Sequence, residues 1–171
     1  MAVVLLGYRG SGKTTVGRKL ADQLWGKFVD TDELVTEAAG KTIKQIFDDG
    51  GEPAFRELES AALRQALVGG FDVIALGGGA VLRDENRTAL VASGHKRVYL
   101  RADAETLHRR IDADPSTAAS RPALTALGGS VDEVRTLLAA REPLYREVAT
   151  AELDVTNLSP DECVSRIARM M

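Results

Sequence analysis

The sequence predicts an α/β domain in three layers, αβα, with a five-stranded parallel sheet between two layers of helices. Three observations point there. Short apolar strands alternate with helical patterns along the whole chain, as in right-handed βαβ units. Residues 71–76 (FDVIAL) are apolar apart from Asp72, the composition of a strand buried on both faces of a parallel sheet. Residues 2–6 (AVVLL) run directly into Gly7-Tyr8-Arg9-Gly10-Ser11-Gly12-Lys13-Thr14. That is G-x-x-x-x-G-K-[ST] between a strand and a helical pattern, the setting of a phosphate-binding loop.

Taken in order, each element has its own signal. Residues 13–24 place Val16, Leu20 and Leu24 at helical spacing, and Gly17 among them suits close packing against the sheet. Phe28 and Val29 form a short second strand that ends in Asp30-Thr31-Asp32. A helix from Glu33 ends near Gly40, and Thr42 is an N-cap for a short helix carrying Ile43, Ile46 and Phe47. A turn at Asp49-Gly50-Gly51 leads into a longer helix through Phe55, Leu58, Ala62 and Leu67, stopped by Gly69-Gly70. The third strand, 71–76, ends in Gly77-Gly78-Gly79. A helix over about 84–93, a strand at 97–100 and a helix over 103–112 follow. Residues 114–130 carry Pro, Ser, Thr, small residues and Gly128-Gly129, a long loop of the kind that is functional or mobile. A helix at about 131–146, a strand at 151–155 and a last helix at 161–170 close the chain, the last capped by Ser159 with Pro160 at its first position. The five strands begin near 2, 27, 71, 96 and 151, and no repeat or linker divides the 171 residues into domains.

Composition narrows the function classes. The net charge is −3 and aromatics make up 5% of residues, which argues against a basic nucleic-acid surface and against a row of base-stacking platforms. No apolar run approaches the roughly 20 residues needed to span a bilayer. A core strand begins at Ala2 and leaves no room for a signal peptide, so a cytoplasmic protein without membrane or nucleic-acid partners is expected, as a monomer. The single cysteine, Cys163, excludes an intrachain disulfide and reads as a partly buried helix residue. His95 and His108 lie among Lys and Arg, without metal-ligand spacing, and are expected to be exposed.

The chemistry is sought at the ends of the strands, because ligands of open α/β sheets lie beyond the strands' carboxyl ends. After the first strand, Gly10, Ser11 and Gly12 let backbone N–H groups wrap a di- or triphosphate, and the helix start adds its positive dipole end. Lys13 is set to reach the β- and γ-phosphates and Thr14 to offer its hydroxyl to Mg²⁺; Thr15 continues the loop. After the second strand, Asp30 and Asp32 stand two residues apart, so both carboxylates can share a face. One suits Mg²⁺ through water and the other suits orienting or deprotonating an acceptor hydroxyl; equally, Asp30 or Thr31 suits a helix N-cap. After the third strand, three consecutive glycines allow a small polar molecule to lie against backbone. Arg56, Arg121 and Arg141 have the fork geometry for carboxylate or phosphate. Arg121, in the long loop, suits stabilising charge during phosphoryl transfer.

The residues G-Y-R-G-S-G-K-T-T (7–15), V-D-T-D (29–32), I-F-D-D-G-G-E-P-A-F-R (46–56), L-G-G-G-A-V (76–81), S-R-P (120–122) and R-E-P-L-Y (141–145) form one ordered set. In this the chain resembles the shikimate kinase family, nearly end to end. The resemblance implies a P-loop kinase fold with sheet order 2-3-1-4-5, an acceptor-binding subdomain near 31–60 and a mobile lid near 113–128. It implies transfer of the γ-phosphoryl of ATP to the 3-hydroxyl of shikimate, with Mg²⁺, in aromatic amino-acid synthesis. By matching position, Asp32 holds the shikimate hydroxyls and is the candidate base, and Asp30 holds Mg²⁺ through water. Arg56 and Arg141 grip the shikimate carboxylate, Gly78 and Gly79 lend backbone, Glu59 orients Arg56, and Phe47 and Phe55 wall the pocket. Arg121 matches the lid arginine that closes on the ATP phosphates. Arg109 or Arg110 is a candidate to stack on adenine and Asn157 to contact it. Two competing readings are another small-metabolite kinase of this fold, such as a gluconate kinase, and a nucleotide-binding module without catalysis. Arg56, Arg141 and the triple glycine weigh against the first, and intact Lys13, Thr14, Asp32 and Arg121 against the second.

Overall fold

A computed structural model describes residues 1–114 and 129–171. In chain order the elements are β1 (Val3–Leu6), α1 (Lys13–Gln23), β2 (Phe28–Asp30), α2 (Thr31–Ala39), α3 (Ile43–Val68), β3 (Val73–Ala75), a 3₁₀ turn (Ala80–Leu82), α4 (Asp84–Ala92), β4 (Lys96–Arg101), α5 (Ala104–Asp112), α6 (Val131–Val148), β5 (Ala151–Asp154) and α7 (Pro160–Ala168). The five strands pair in parallel in the order β2-β3-β1-β4-β5. Every strand end therefore opens on the same edge of the sheet. The loop after β1 sits at its centre, with the β2 and β3 ends on one side and the β4 and β5 ends on the other.

The central strands β1, β3 and β4 are buried on both faces, and their side chains alternate between two cores. Val3, Leu5, Val73, Val98 and Leu100 face a cluster completed by Leu20 of α1, Leu107 of α5 and Ile167 of α7. Val4, Leu6, Ile74 and Tyr99 face the other way, against Leu63 of α3, Leu90 of α4, and Tyr145 and Val148 of α6. Gly17 matters to the first of these layers. A Cβ there would lie 2.5 Å from the Phe28 ring and 3.3 Å from Leu5, so only glycine lets α1 lie this close to β1 and β2.

A third, smaller cluster of Val35, Ile43, Ile46, Phe55 and Ala62 ties α2 to α3. Here the expected turn at Asp49-Gly50-Gly51 is present as a kink that separates two helical segments of α3. Gly51 (φ 69°, ψ −173°) breaks the helical path, and Pro53 stands in the first turn of the second segment, where its missing N–H costs nothing. The kink folds the two segments so that Phe47 and Phe55 meet at 4.8 Å between ring centroids.

Expected caps are present. Thr42 with Gln45, and Ser159 with Glu162, form reciprocal capping boxes, and Pro160 opens α7. The histidine expectation is corrected: both are half-buried rather than exposed. His95 Nε2 lies 3.0 Å from the Leu67 carbonyl, and its Nδ1 accepts from the Ala2 amide at 3.4 Å, so the ring bridges the start of β1 to the end of α3. His108 faces Asp112 one turn along α5. Among the described residues, no helix is long and apolar enough to cross a membrane.

Candidate active site

The glycines after β1 curl the chain into a cradle. Gly10 and Gly12 take φ of 83° and 91°, a left-handed conformation that other residues adopt at a cost, and Gly12 caps the start of α1. Lys13, largely buried, folds back over the loop, its ammonium donating to the Gly7 and Tyr8 carbonyls at 2.8 and 2.9 Å. Thr14 donates its hydroxyl to Asp30 Oδ2 at 2.6 Å. Asp30 Oδ1 accepts from the Asp32 amide at 2.9 Å and caps α2. One Asp30 oxygen thus caps α2 and the other accepts from Thr14 of the phosphate loop.

A cleft of about 830 Å³ lies over this loop, lined by Gly10, Gly12, Lys13, Thr14, Thr15 and Asp30, and also by Asp32 and Gly78. A smaller cavity beside it, about 60 Å³, is lined by Asp32, Arg56, Glu59, Gly78, Gly79 and Arg141, with Phe47 and Phe55 as its apolar wall. Asp32 and Gly78 line both. A molecule in the smaller space therefore meets the larger one at a carboxylate.

Two arginines of the smaller cavity are held by different means. Arg56 is buried and donates to Glu59 Oε2 at 2.6 Å and to Glu52 Oε1 at 3.0 and 3.1 Å, with its guanidinium over the Phe55 ring. Burial works against its charge, but the Glu59 and Glu52 carboxylates more than offset that and hold Arg56 above its ordinary pKa. Burial is also the main influence on Glu59, pushing its carboxyl up. The Arg56 guanidinium pulls it down and the charge of Asp32 adds to the rise. Glu59 Oε1 has no hydrogen-bond partner among the described residues, and it lies 3.0 Å from the point where a side chain on Gly77 would begin; Asp32 Oδ1 lies 2.6 Å from that same point. Arg141, on α6, stacks over the Tyr8 ring at 5.4 Å and reaches the Gly78 carbonyl only at 3.5 Å.

The remaining expected residues fall elsewhere. Ser11 is buried, its hydroxyl lacking a hydrogen-bond partner. Arg110 donates to the Val155 and Thr156 carbonyls at 2.9 and 3.4 Å, while Arg109 and Asn157 are exposed. All three sit on the β4–β5 side of the phosphate loop, opposite the smaller cavity, and none is among the residues lining either space. Arg121 and nearly all of the expected lid lie outside the described residues. Arg9 lines both spaces and Ile43 lines both as well, and neither was expected as a site residue. Arg9 occupies a variable position of the loop motif, which leaves its side chain unspecified. Ile43 was readable only as a core residue of its helix.

This arrangement has counterparts. A sequence model of the family described as shikimate kinase matches residues 9–171. A shikimate kinase of Thermobifida fusca (strain YX) is 39% identical over 166 residues, covering 97% of this chain and 92% of its relative. A solved structure of a shikimate kinase from Acinetobacter baumannii in complex with shikimate superposes with a TM-score of 0.90 at 33% identity, covering 99% of this chain and 91% of that one. A gluconokinase from Sinorhizobium meliloti 1021, 20% identical with a TM-score of 0.59 and covering 99% of this chain and 92% of that one, shares the fold alone. Matched over nearly its full length in sequence and structure, the chain belongs to the shikimate kinase family.

Proposed function

We propose that the protein transfers the γ-phosphoryl group of ATP to the 3-hydroxyl of shikimate, giving shikimate 3-phosphate and ADP in the pathway to aromatic amino acids. The observation that carries this reading is the junction of the two spaces at Asp32, with Arg56 and Arg141 across the smaller one. Shikimate is a small ring with one carboxylate and three hydroxyls. Two guanidinium groups suit its carboxylate, Phe47 and Phe55 suit the ring face, and Asp32 suits a hydroxyl directed toward the phosphate cradle.

In this account the 3-hydroxyl oxygen attacks the γ-phosphorus, and the bond from that phosphorus to the β–γ bridging oxygen breaks. The hydroxyl proton passes to the Asp32 carboxylate, and ADP leaves. Gly10, Ser11, Gly12 and Thr15 hold the phosphates through loop backbone and helix dipole, and the Lys13 ammonium moves from its carbonyls to their oxygens. The oxygens of Thr14 and Asp30 suit Mg²⁺, which favours hard donors and is commonly bound by one or two carboxylates plus substrate phosphates. Bound there, Mg²⁺ would neutralise charge on the β- and γ-phosphate oxygens. Residues 31–60 act as the acceptor-binding part, with a small apolar cluster and kinked helix of their own. Arg121, on its sequence motif alone, is assigned to the phosphates, and Arg109 and Asn157 to the adenine side.

A coupled assay of ADP release with shikimate and gluconate tests this. Turnover with shikimate alone is expected. Turnover with gluconate but not shikimate would overturn the substrate, and ATP binding without turnover on any acceptor would overturn the reaction.

A further inference from the structure

The motif residue without a role so far is Tyr145. It is fully buried on α6, one turn after Arg141, and its hydroxyl donates to the Gly78 carbonyl at 2.5 Å. Its ring stacks on Tyr99 of β4, with centroids 5.0 Å apart and planes 24° apart, so the direction of the hydroxyl is fixed by packing. Gly78 is wedged from the other side. A Cβ there would lie 3.3 Å from the Arg9 amide and 3.4 Å from the Gly7 carbonyl.

The rest of the triple glycine is anchored by α2 and by the 3₁₀ turn that follows the glycines. The Gly77 amide donates to the Thr31 hydroxyl at 2.9 Å, the Gly77 carbonyl accepts from Ala80, and the Gly79 carbonyl accepts from Leu82. The peptide plane between Gly78 and Gly79 is held from α6, through Tyr145. It is a rigid trans unit, so fixing its carbonyl also fixes the direction of the Gly79 N–H on its opposite edge. Between two glycines such a plane rotates easily when nothing holds it.

We infer that Tyr145 is a positioning residue for the acceptor: its hydroxyl locks the Gly78–Gly79 peptide against which the acceptor lies, and it keeps Arg141 from closing on the Gly78 carbonyl. The second half follows from distance. Arg141 Nη1 stands 3.5 Å from that carbonyl, beyond a good hydrogen bond, and is the neighbouring donor that would take it if the tyrosine hydroxyl were removed. Arg141 would then be drawn away from the acceptor carboxylate. This inference rests on the acceptor reading above.

The pair of stacked rings supplies its own control. Tyr99 has a buried hydroxyl with no hydrogen-bond partner among the described residues, so Tyr99→Phe deletes a hydroxyl from the same stack without touching Gly78. Tyr145→Phe is expected to raise KM for shikimate about five- to tenfold, with kcat and KM for ATP within about twofold of the unsubstituted chain. Tyr99→Phe is expected to change none of the three. Thermal melts of both variants accompany the kinetics. An unchanged KM for shikimate in Tyr145→Phe would overturn the inference. So would a parallel rise in both KM values with a fallen melting temperature, which is what a merely structural tyrosine would give. No turnover of shikimate by the unsubstituted chain would overturn the acceptor reading, and this inference with it.

Discussion

Gly79→Ala isolates space from conformation. Gly79 has φ −98° and ψ −3°, which alanine adopts without strain, so its backbone does not require glycine. Its surroundings do. A Cβ at 79 would lie 2.2 Å from Arg56 Nη1 and 2.8 Å from both Cζ and Nη2. Reaching even 3.0 Å from Nη1 displaces that nitrogen by ~0.8 Å, and Nη1 is the atom bonded to Glu59 at 2.6 Å. The guanidinium is the end of a flexible side chain, so the fold should survive, with the melting temperature within about 4 °C of the unsubstituted protein. The displaced fork, however, no longer meets the acceptor in register. Misplacement of about 1 Å costs on the order of 10²-fold in rate, so kcat/KM for shikimate should fall roughly 100-fold while ATP affinity holds. Steady-state kinetics and ATP titration measure both. A double-mutant cycle sharpens the test: in an Arg56→Ala background, Gly79→Ala should add little further loss, because the clash has been removed. Kinetics within threefold of the unsubstituted enzyme for Gly79→Ala, or full additivity in the cycle, would refute the reasoning.

Two other perturbations probe the carboxylates. Asp32→Asn should reduce turnover about 10²- to 10⁴-fold with ATP affinity nearly intact, and an equal fall in ATP affinity would move Asp32 out of the acceptor side. Burial raises the Glu59 carboxyl, so the native state binds this proton more tightly than the unfolded chain does, and stability is lost as pH climbs from the ordinary carboxylate range through the raised value. Glu59→Gln has no proton to lose, so its urea midpoint should be flatter across that window; parallel pH profiles for the two proteins would show that Glu59 does not titrate as argued.

Much of this architecture was legible because its signals are local. Apolar runs, capping residues and the glycine-rich loop each depend on a few neighbouring residues, and the strands, the Thr42 and Ser159 caps and the packing role of Gly17 follow from them. The order of the strands has no such local signal; it came only through the family resemblance, since nothing in residues 71–76 says that β3 lies between β2 and β1. Asp30 shows another limit. Helix cap and metal-side carboxylate looked like alternatives, yet one Asp30 oxygen caps α2 and leaves the other facing Thr14 of the phosphate loop. Arg97 read as part of an apolar strand, but its guanidinium is buried and donates to the Val148 and His95 carbonyls at 2.6 and 2.7 Å, a use that pairwise spacing cannot reveal. The triple glycine was readable as close backbone. That Gly79 is small because Arg56 lies against it, and that Gly78 is held by Tyr145, depend on elements more than twenty residues away in the chain.

The central claim is that Asp32 presents one particular hydroxyl of a carboxylate-anchored ring to the phosphate cradle. Identifying the product by ³¹P and ¹H NMR after incubation with ATP, Mg²⁺ and shikimate tests it most directly. A single phosphorylated product, with phosphorus coupled to the proton on carbon 3, is predicted. Phosphate on another hydroxyl, or a mixture of positions, would contradict the geometry assigned to Asp32, Arg56 and Arg141.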